Sequence, residues 1–268
     1  MKLLPIGVGD MFVKDVKKGS TGFLIISGDQ KTLVDCPGYV RALLKLACDK
    51  SDSDINLHEI NDVIFTHLHD DHVNGLSELG FYSYFIRKYR DFFVEHGVIE
   101  KNSIIKKPSL YSTKENLRDV WEKRLSAGMG KLLDENGNIK NMKLNDYFNP
   151  VELTFDKKNK IGNLEIEIKP TNHFISCFAL KITYHGKTLG ISSDTAYYPE
   201  LIDWLSNSDM ILHETNYGLT HTPYEKLADY VSRHPSIKNK IFLYHYPGDF
   251  DPKKSKIPFL EQGKIYEI

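Results

Sequence analysis

Residues 66–72 concentrate side chains that bind metals, in the order Thr-His-Leu-His-Asp-Asp-His. They follow a short apolar stretch that predicts a buried strand. Alternate residues of an extended chain point to the same side, so we expect His67 and His69 to face one way. Asp71 and His72 should turn back towards them as a helix begins. Because imidazole and carboxylate groups are ligands that zinc prefers, the segment predicts a divalent metal site. The alternative is a solvated polar loop.

Three further candidate ligands, His173, Asp194 and His245, lie later in the chain. Each comes at the end of a predicted strand, and these strands cover residues 164–169, 188–192 and 241–245. Side chains at strand ends project from a fixed scaffold into one crevice. Taken singly, each is more often structural than catalytic. Taken together, and in this order after the first cluster, they predict a site for two metal ions.

Strand and helix patterns alternate along much of the chain and indicate a layered α/β architecture. The first third reads as strands joined by tight turns. Gly28-Asp29 is a two-residue hairpin signal between strands predicted over residues 21–27 and 32–35. Residues 38–49 carry apolar side chains at helical spacing, which predicts a helix.

Residues 77–160 differ in character from the rest of the chain. We interpret them as an insertion into a single domain that covers residues 1–268, because similar units resume on both sides. Within the insertion, residues 112–115 (Ser-Thr-Lys-Glu) match a capping box and predict a helix over residues 116–125. The segment is rich in aromatic residues, namely Phe81, Tyr82, Tyr84, Phe85, Tyr89, Tyr111, Trp121 and Tyr147.

The composition is that of a globular protein, with 41% hydrophobic and 26% charged residues. The formal net charge of −1 supplies no general attraction to nucleic acid or to an anionic membrane. No stretch approaches the length of a membrane span. The three cysteines, Cys36, Cys48 and Cys177, form no Cys-x-x-Cys pair and suit a reducing compartment. We therefore expect a cytoplasmic protein with no membrane association and no stable nucleic-acid partner.

The order of the candidate ligands resembles the five motifs of the metallo-β-lactamase superfamily: His-x-His-x-Asp-His, then His, then Ser-Asp-Thr, then His. The resemblance covers nearly the whole chain. It implies an αββα sandwich of the α/β class, with an insertion between the second and third metal motifs. It also implies two divalent ions, most often Zn²⁺, with Mn²⁺ as the alternative. Carried over position by position, one ion takes His67, His69 and His173, the other takes Asp71, His72 and His245, and Asp194 bridges them.

Leu212-His213-Glu214-Thr215 and His221-Thr222 resemble motifs of the tRNA 3′-processing endonuclease RNase Z and of its cyclic-nucleotide phosphodiesterase relatives. In that group the second histidine lies near the scissile phosphate and is held by an acid. The resemblance makes His221 a candidate to protonate the leaving oxygen, and Asp71 a candidate to orient the attacking water. A surface-loop role for His221 is the alternative, and a thioester hydrolase is not excluded by the metal motifs alone.

The spacing of the motifs separates the members of this group. His173 and Asp194 are only 21 positions apart, which leaves no room for the arm that holds tRNA in familiar RNase Z enzymes. The extra length lies between His72 and His173 instead. This pattern resembles the phage anti-Pycsar phosphodiesterases, which degrade cyclic mononucleotides as homodimers with a lid loop.

That resemblance implies a 3′,5′-cyclic mononucleotide substrate and a homodimer. We expect the aromatic residues of the insertion to cover the site and stack on the base. Two alternatives stay open, namely an RNase Z-like endoribonuclease and an inactive protein that has kept the fold.

Overall fold

The computed structural model describes residues 1–15 and 17–268. Its strands are β1 (Lys2–Gly7), β2 (Gly22–Ser27), β3 (Gln30–Val34), β4 (Asp62–Ile64), β5 (Ser109–Ser112), β6 (Lys131–Leu133), β7 (Ile139–Asn141), β8 (Asn149–Glu152), β9 (Asn159–Ile161), β10 (Leu164–Pro170), β11 (Phe178–Tyr184), β12 (Lys187–Ile191), β13 (Met210–Glu214), β14 (Ile241–Tyr244) and β15 (Tyr266–Glu267).

The helices are α1 (Val40–Ser51), α2 (Asp70–Val73), α3 (Gly75–Lys88), α4 (Arg90–Glu95), α5 (Lys114–Asp119), α6 (Ser126–Met129), α7 (Leu144–Tyr147), α8 (Pro199–Leu205) and α9 (Tyr224–Arg233). A π-helical turn, Val120–Leu125, joins α5 to α6, and three short 3-10 turns cover Leu57–Glu59, Pro235–Ile237 and Pro252–Lys254. Among the residues described, no helix combines the length and the apolar character needed to cross a bilayer.

The first sheet has seven strands in the order β15-β1-β2-β3-β4-β5-β8. Strands β1, β2 and β3 pair antiparallel, whereas β3, β4, β5 and β8 are parallel. The turn from β2 to β3 is the predicted two-residue hairpin, since Ser27 pairs with Gln30. Gly28 has a φ of 63°, which a glycine adopts without strain.

The second sheet has six strands in the order β14-β13-β12-β11-β10-β9. Strands β9 to β12 pair antiparallel, and β12, β13 and β14 are parallel. β13 is buried at all five positions because it is covered on both faces. The carboxyl ends of β10, β12, β13 and β14 consequently meet at one edge of this sheet.

The two sheets pack face to face, and helices cover both outer faces. Phe23 and Ile64 of the first sheet share a buried cluster with Ile166 and Leu212 of the second. Outside the first sheet, α1 and α3 pack into a second cluster, and outside the second sheet α8 and α9 pack into a third. Each fully buried aliphatic or aromatic side chain contributes about 1.5–3 kcal/mol. The predicted αββα sandwich is confirmed.

Most of residues 77–160 belongs to these layers. The segment contains most of α3, it adds β5 and β8 to the first sheet, and it adds β9 to the second. The hairpin of β6 and β7 forms a small sheet of its own. The interpretation of the segment as an insertion with a lid or dimer role stays a prediction.

Four aromatic residues of this segment pack against one another in the core outside the first sheet. Tyr147 lies at the centre of the group, with ring centroids 5.6 Å from Phe81, 5.4 Å from Tyr84 and 6.3 Å from Trp121. All four contribute to the cluster outside the first sheet. Within a single chain these four side chains are therefore engaged in core packing.

The capping box predicted at residues 112–115 is wrong by one residue. Thr113 caps α5, because its Oγ1 accepts a hydrogen bond from the backbone N–H of Asn116 at 3.3 Å. Ser112 ends β5 instead and donates its hydroxyl to the carbonyl of Phe65 at 2.8 Å. Pairing of Ser112 with Glu152 of β8 extends the strand through the position at which the sequence pattern placed the cap.

Candidate metal centre and active site

The candidate ligands lie on loops at one edge of the sandwich. His67 and His69 follow β4, His173 follows β10, Asp194 follows β12 and His245 follows β14. The carboxyl ends of parallel strands commonly form such a crevice, because the chain must turn there to leave the sheet. The predicted strand ends are thus the places from which these side chains project.

Three non-glycine residues on these loops have left-handed backbone conformations. Asp35, Ser193 and His245 have φ values of 57°, 52° and 53°. Each such residue costs on the order of 1–3 kcal/mol and persists only where surrounding contacts fix it. Asp35 directly follows β3, His245 directly follows β14, and Ser193 lies beside Asp194. The turns at this edge are therefore held in one geometry.

The structure brings all seven predicted ligands together as two donor groups. One atom from each member lies within 4.8 Å of the others in two sets, His67, His69, His173 and Asp194, and Asp71, His72 and His245. Asp194 connects the sets. Its Oδ2 is 3.6 Å from Nε2 of His67 and 3.5 Å from Nε2 of His245, and its Oδ1 is 3.5 Å from Nε2 of His72. A carboxylate in this position can bridge two cations.

Buried atoms without partners test whether cations fit. In the described part of the chain, Nε2 of His72 and Oδ1 of Asp194 are buried and have no hydrogen-bond partner. An unsatisfied buried polar group costs about 1–3 kcal/mol, more when it is charged. The two atoms belong to different donor groups and lie 3.5 Å apart, so a cation between the groups could reach both. Nitrogen and carboxylate oxygen are suitable donors for zinc, so the residues present fit divalent cations.

The charges of the buried carboxylates also indicate that cations fit this site. Asp35, Asp71 and Asp194 are only 2%, 6% and 1% exposed. Within residues 1–15 and 17–268, their ion-pair partners are imidazoles, and no lysine or arginine contacts them. Several buried carboxylates without a permanent cation are unfavourable. Divalent cations between the donor groups would supply the missing positive charge.

The pKa values of the histidines follow from this balance. Burial opposes protonation of His72, but Asp71, Asp194 and Asp35 raise its pKa to about 9. Burial likewise opposes protonation of His245, whose pKa Asp194 and Asp71 raise to about 10. The carboxylates that raise these two pKa values would also stabilise a cation bound between the donor groups.

In the donor group of His67, His69 and His173, the pKa values of the histidines are lowered instead of raised. Burial lowers the pKa of His173 to about 4 and, with neighbouring imidazoles, holds that of His67 well below its usual range. These imidazoles are therefore neutral at physiological pH. A neutral imidazole is the form that binds a metal.

Asp35 orients His72 from behind, a role that the sequence analysis did not assign. Its Oδ2 lies 2.8 Å from Nδ1 of His72, which leaves Nε2 directed at the donor groups. Its Oδ1 accepts from the backbone N–H of Thr66 at 2.8 Å. A carboxylate that holds the far nitrogen of an imidazole is a common support for a metal ligand. The sequence feature that could have identified Asp35 is its position directly after β3, whose carboxyl end lies at the same edge as the ligands.

Three side chains from residues 109–125 hold the backbone of the ligand loop. Besides Ser112, Asn116 donates from Nδ2 to the carbonyl of Thr66 at 3.2 Å, and Arg124 donates from Nη1 to the carbonyl of Leu68 at 2.9 Å. The second guanidinium nitrogen contacts Asp70 and donates to Asn74 at 3.0 Å. The contacts are spread along residues 65–74 and hold the loop in place. Sequence reasoning missed them because the partners are far apart in the chain.

His221 lies beside the donor groups and is held by Glu214. Nδ1 of His221 is 3.2 Å from Oε1 of Glu214 and 3.9 Å from Oδ2 of Asp194. Oε1 of Glu214 also accepts from the backbone N–H groups of Thr195 at 3.0 Å and Thr222 at 3.1 Å. Burial opposes protonation of His221, but the hydrogen bond to Glu214 raises its pKa. An imidazole in this position can donate a proton.

His221 also forms a donor set with Asp194 and His245, so it reaches the edge of the second group. His213, in contrast, is fully buried and directs Nδ1 to the carbonyl of Glu214 at 2.7 Å. Its other nitrogen is buried without a partner, and His213 belongs to none of the donor sets found among the described residues. His213 is therefore not placed among the candidate ligands.

A cavity of about 760 Å³ opens over the donor groups. Its floor includes His69, Asp71, Asp194, His221 and His245, and its walls include Met11, Phe12, Phe174, Asn216, Tyr217 and Asp249. None of the described residues that line it belongs to the segment 77–160. The volume is within the range of about 300–1,000 Å³ of small-molecule sites.

The fold and the buried donor groups define the class of protein, a metal-dependent hydrolase with the metallo-β-lactamase fold. The metallo-β-lactamase fold protein YhfI from Bacillus subtilis superimposes with a TM-score of 0.71 at 17% identity, over 99% of each chain.

The family follows from the sequence comparisons. Residues 1–266 match the model of the family "Anti-Pycsar protein Apyc1". The chain is 30% identical to the anti-Pycsar protein Apyc1 of Saccharibacillus brassicae, over 100% of both chains. It is 24% identical to the cAMP/cGMP-dependent 3′,5′-cAMP/cGMP phosphodiesterase B of Dictyostelium discoideum, over 87% of this chain and 19% of that protein. The chain belongs to the anti-Pycsar Apyc1 family.

Proposed function

We propose that this protein is a two-metal phosphodiesterase that hydrolyses 3′,5′-cyclic mononucleotides to linear nucleoside monophosphates. The observation that carries the proposal is the position of His221, held by Glu214 beside Asp194 on the floor of the cavity. A proton donor next to a two-metal site suits cleavage of a phosphodiester, whose leaving oxygen needs a proton. The printed name of the Dictyostelium relative supports the same substrate class.

We propose zinc as the metal, with manganese as the alternative. His67, His69 and His173 would hold one ion, Asp71, His72 and His245 would hold the other, and Asp194 would bridge them. The predominance of imidazole among the donors favours zinc over magnesium or calcium, which prefer oxygen. When bound, the pair would lower the pKa of a water molecule and neutralise charge on the phosphate.

The protein side chains complete the reaction. Asp71, at the floor of the cavity, would orient the attacking water towards phosphorus. The bond from phosphorus to one ribose oxygen breaks as the new bond from water forms, and the proton that this water loses passes to the solvent. His221 gives its proton to the departing ribose oxygen, and the hydrogen bond to Glu214 keeps the imidazole protonated and aligned until that step. The product is a linear nucleoside monophosphate.

We also propose that the chain is one domain, that it works as a homodimer, and that it acts in the cytoplasm. The cytoplasmic proposal is supported by Cys36, Cys48 and Cys177, which are all buried and form no disulfide in the described structure. A role of residues 77–160 as a lid would require a second copy, because these residues do not line the cavity of their own chain in the described structure.

A side-by-side assay tests the substrate class. Protein loaded with zinc or manganese is incubated with 3′,5′-cyclic AMP, GMP, CMP and UMP, with bis(p-nitrophenyl) phosphate and with a pre-tRNA. We expect conversion of at least one cyclic nucleotide to its linear monophosphate and no efficient cleavage of pre-tRNA. Efficient cleavage of pre-tRNA without turnover of any cyclic nucleotide would instead support an RNase Z-like endoribonuclease.

A further inference from the structure

We propose that Phe12, Phe174 and Tyr217 form the site that binds the nucleobase of the substrate. The base would stack on these rings at the mouth of the cavity, while the phosphate lies on the donor groups at its floor. This inference rests on the proposed function and assigns residues to a part of the substrate that the metal site does not contact. We call these three side chains the aromatic rim.

The rim is exposed where large apolar side chains are usually buried. Phe12, Phe174 and Tyr217 are 79%, 65% and 63% exposed, and all three line the same cavity. Exposed aromatic groups gathered at one cavity commonly mark a binding surface. A nucleobase is flat and apolar on both faces, and stacking on an aromatic side chain requires no particular base.

Phe174 connects the rim to the metal site. It follows His173 in the chain, and its ring centroid is 4.5 Å from that of His173 and 4.9 Å from that of His69. Phe174 therefore extends the aromatic rim to the histidines of the first donor group. A cyclic nucleotide carries its base and its phosphate on the same ribose, so a base bound here is adjacent to a phosphate bound at the floor.

The other wall is held by hydrogen bonds. The carboxylate of Asp10 accepts from the backbone N–H of Phe12 at 3.1 Å and from Nδ2 of Asn216 at 3.1 Å. Asn216 also donates to the carbonyl of His245 at 3.2 Å and accepts from the backbone N–H of Tyr217 at 2.7 Å. The loops that carry Phe12 and Tyr217 are thus tied to each other and to a residue of the second donor group.

Burial distinguishes the rim from four of the aromatic residues that were expected to bind the base. The side chains of Phe81, Tyr84, Trp121 and Tyr147 pack in the core outside the first sheet. The rim residues lie outside segment 77–160 and are free of such packing. The sequence offered no periodic pattern for them, because three separate loops bring them together.

The test compares substrates with and without a base. Phe12→Ala, Phe174→Ala and Tyr217→Ala are each assayed on 3′,5′-cyclic AMP and on ribose 3′,5′-cyclic phosphate, which lacks the base. If the base stacks on the rim, KM for cyclic AMP should rise about tenfold in these variants. Their kcat, and their KM for the base-free substrate, should change little. Phe174→Trp should retain a low KM for cyclic AMP. Tyr39→Ala is the matched control, since Tyr39 is exposed, lies outside segment 77–160 and does not line the cavity.

Three results would overturn the inference. An equal change on both substrates, or a loss of bound metal, would mean that the rim supports the metal site and not the base. A change in oligomeric state with an unaltered KM for cyclic AMP would assign the rim to an interface between two copies.

Failure of the proposed function is recognised separately. If the wild-type protein turns over no cyclic nucleotide, binding of adenosine 5′-monophosphate and ribose 5-phosphate is compared by calorimetry. Tighter binding of the adenosine compound, lost in Phe174→Ala, would still support a base site. Equal binding of the two compounds to the wild-type protein would overturn it.

Discussion

Arg124 donates from Nη1 to the carbonyl of Leu68 at 2.9 Å, and so ties the π-helical turn to the residue between two metal-ligand candidates, His67 and His69. The two residues are 56 positions apart in the chain. Through its second nitrogen the same guanidinium reaches Asn74, at the other end of the loop. One side chain therefore spans the loop that carries the first four ligand candidates.

Arg124→Met should weaken the metal site without unfolding the protein. Loss of support behind a metal ligand typically costs about 10- to 100-fold in metal affinity or activity. Arg124→Lys should recover only part of the loss, since an ammonium group lacks the planar fork that serves two directions. The measurements are zinc affinity and kcat. Arg118→Met is the control, because Arg118 lies in the same segment and contacts Asp119 and Glu122 instead. Equal zinc affinity in Arg124→Met and the control would contradict the account.

Asp35→Asn should lower zinc affinity by about 10- to 100-fold as well, because the neutral amide holds Nδ1 of His72 less firmly. The replacement keeps the size of the side chain. Titration with zinc against a competing chelator gives the affinity, and Asp29→Asn, in the exposed turn after β2, is the control. An unchanged zinc affinity would show that Asp35 serves only the backbone of Thr66.

Asp194→Ala and His245→Ala should differ in metal content. Asp194 connects both donor groups, so its loss should disturb both ions, whereas His245 belongs to the second main group and its loss should mainly weaken one. Elemental analysis after reconstitution with zinc gives the number of ions per chain. His96→Ala, an exposed histidine after α4, should keep the wild-type value. Identical metal content in Asp194→Ala and His245→Ala would argue against a bridging carboxylate.

His221→Ala should reduce turnover of a cyclic nucleotide by about 10²- to 10⁴-fold while the metals stay bound, as expected for loss of a general acid. The reduction should be smaller for bis(p-nitrophenyl) phosphate, because nitrophenolate departs without a proton. Glu214→Gln should lose activity in the same pattern, since Glu214 holds Nδ1 of His221. Equal reductions on both substrates would mean that His221 positions the phosphate.

The sequence predicted the parts of the site that depend on local order. Hydrophobic runs located the strands, and His67, His173, Asp194 and His245 follow strands β4, β10, β12 and β14, close to the predicted ends. The strand order brings those ends to one edge of the sandwich. The ligands could therefore be placed there without predicting individual side-chain contacts. The hairpin at Gly28-Asp29 was predictable for the same reason.

The features that the sequence did not predict depend on long-range contacts. The supports of the ligand loop come from residues such as Arg124, which is remote from Leu68 in the chain, and Asp35, which is 37 positions from His72. The cap of α5 moved by one residue because pairing of β5 extended the strand to Ser112. No local pattern identifies the aromatic rim, since its three residues meet only in the folded chain.

The most direct test of the central claim is the metal dependence of cyclic-nucleotide hydrolysis by the wild-type protein. The protein is stripped with a chelator, divided, and assayed on 3′,5′-cyclic AMP, GMP, CMP and UMP with and without added zinc or manganese, with products separated by chromatography. We expect a linear nucleoside monophosphate from at least one of them, its loss on chelation and its return when about two ions per chain are restored. Failure to form a linear monophosphate from all four substrates, with two ions bound, would contradict it.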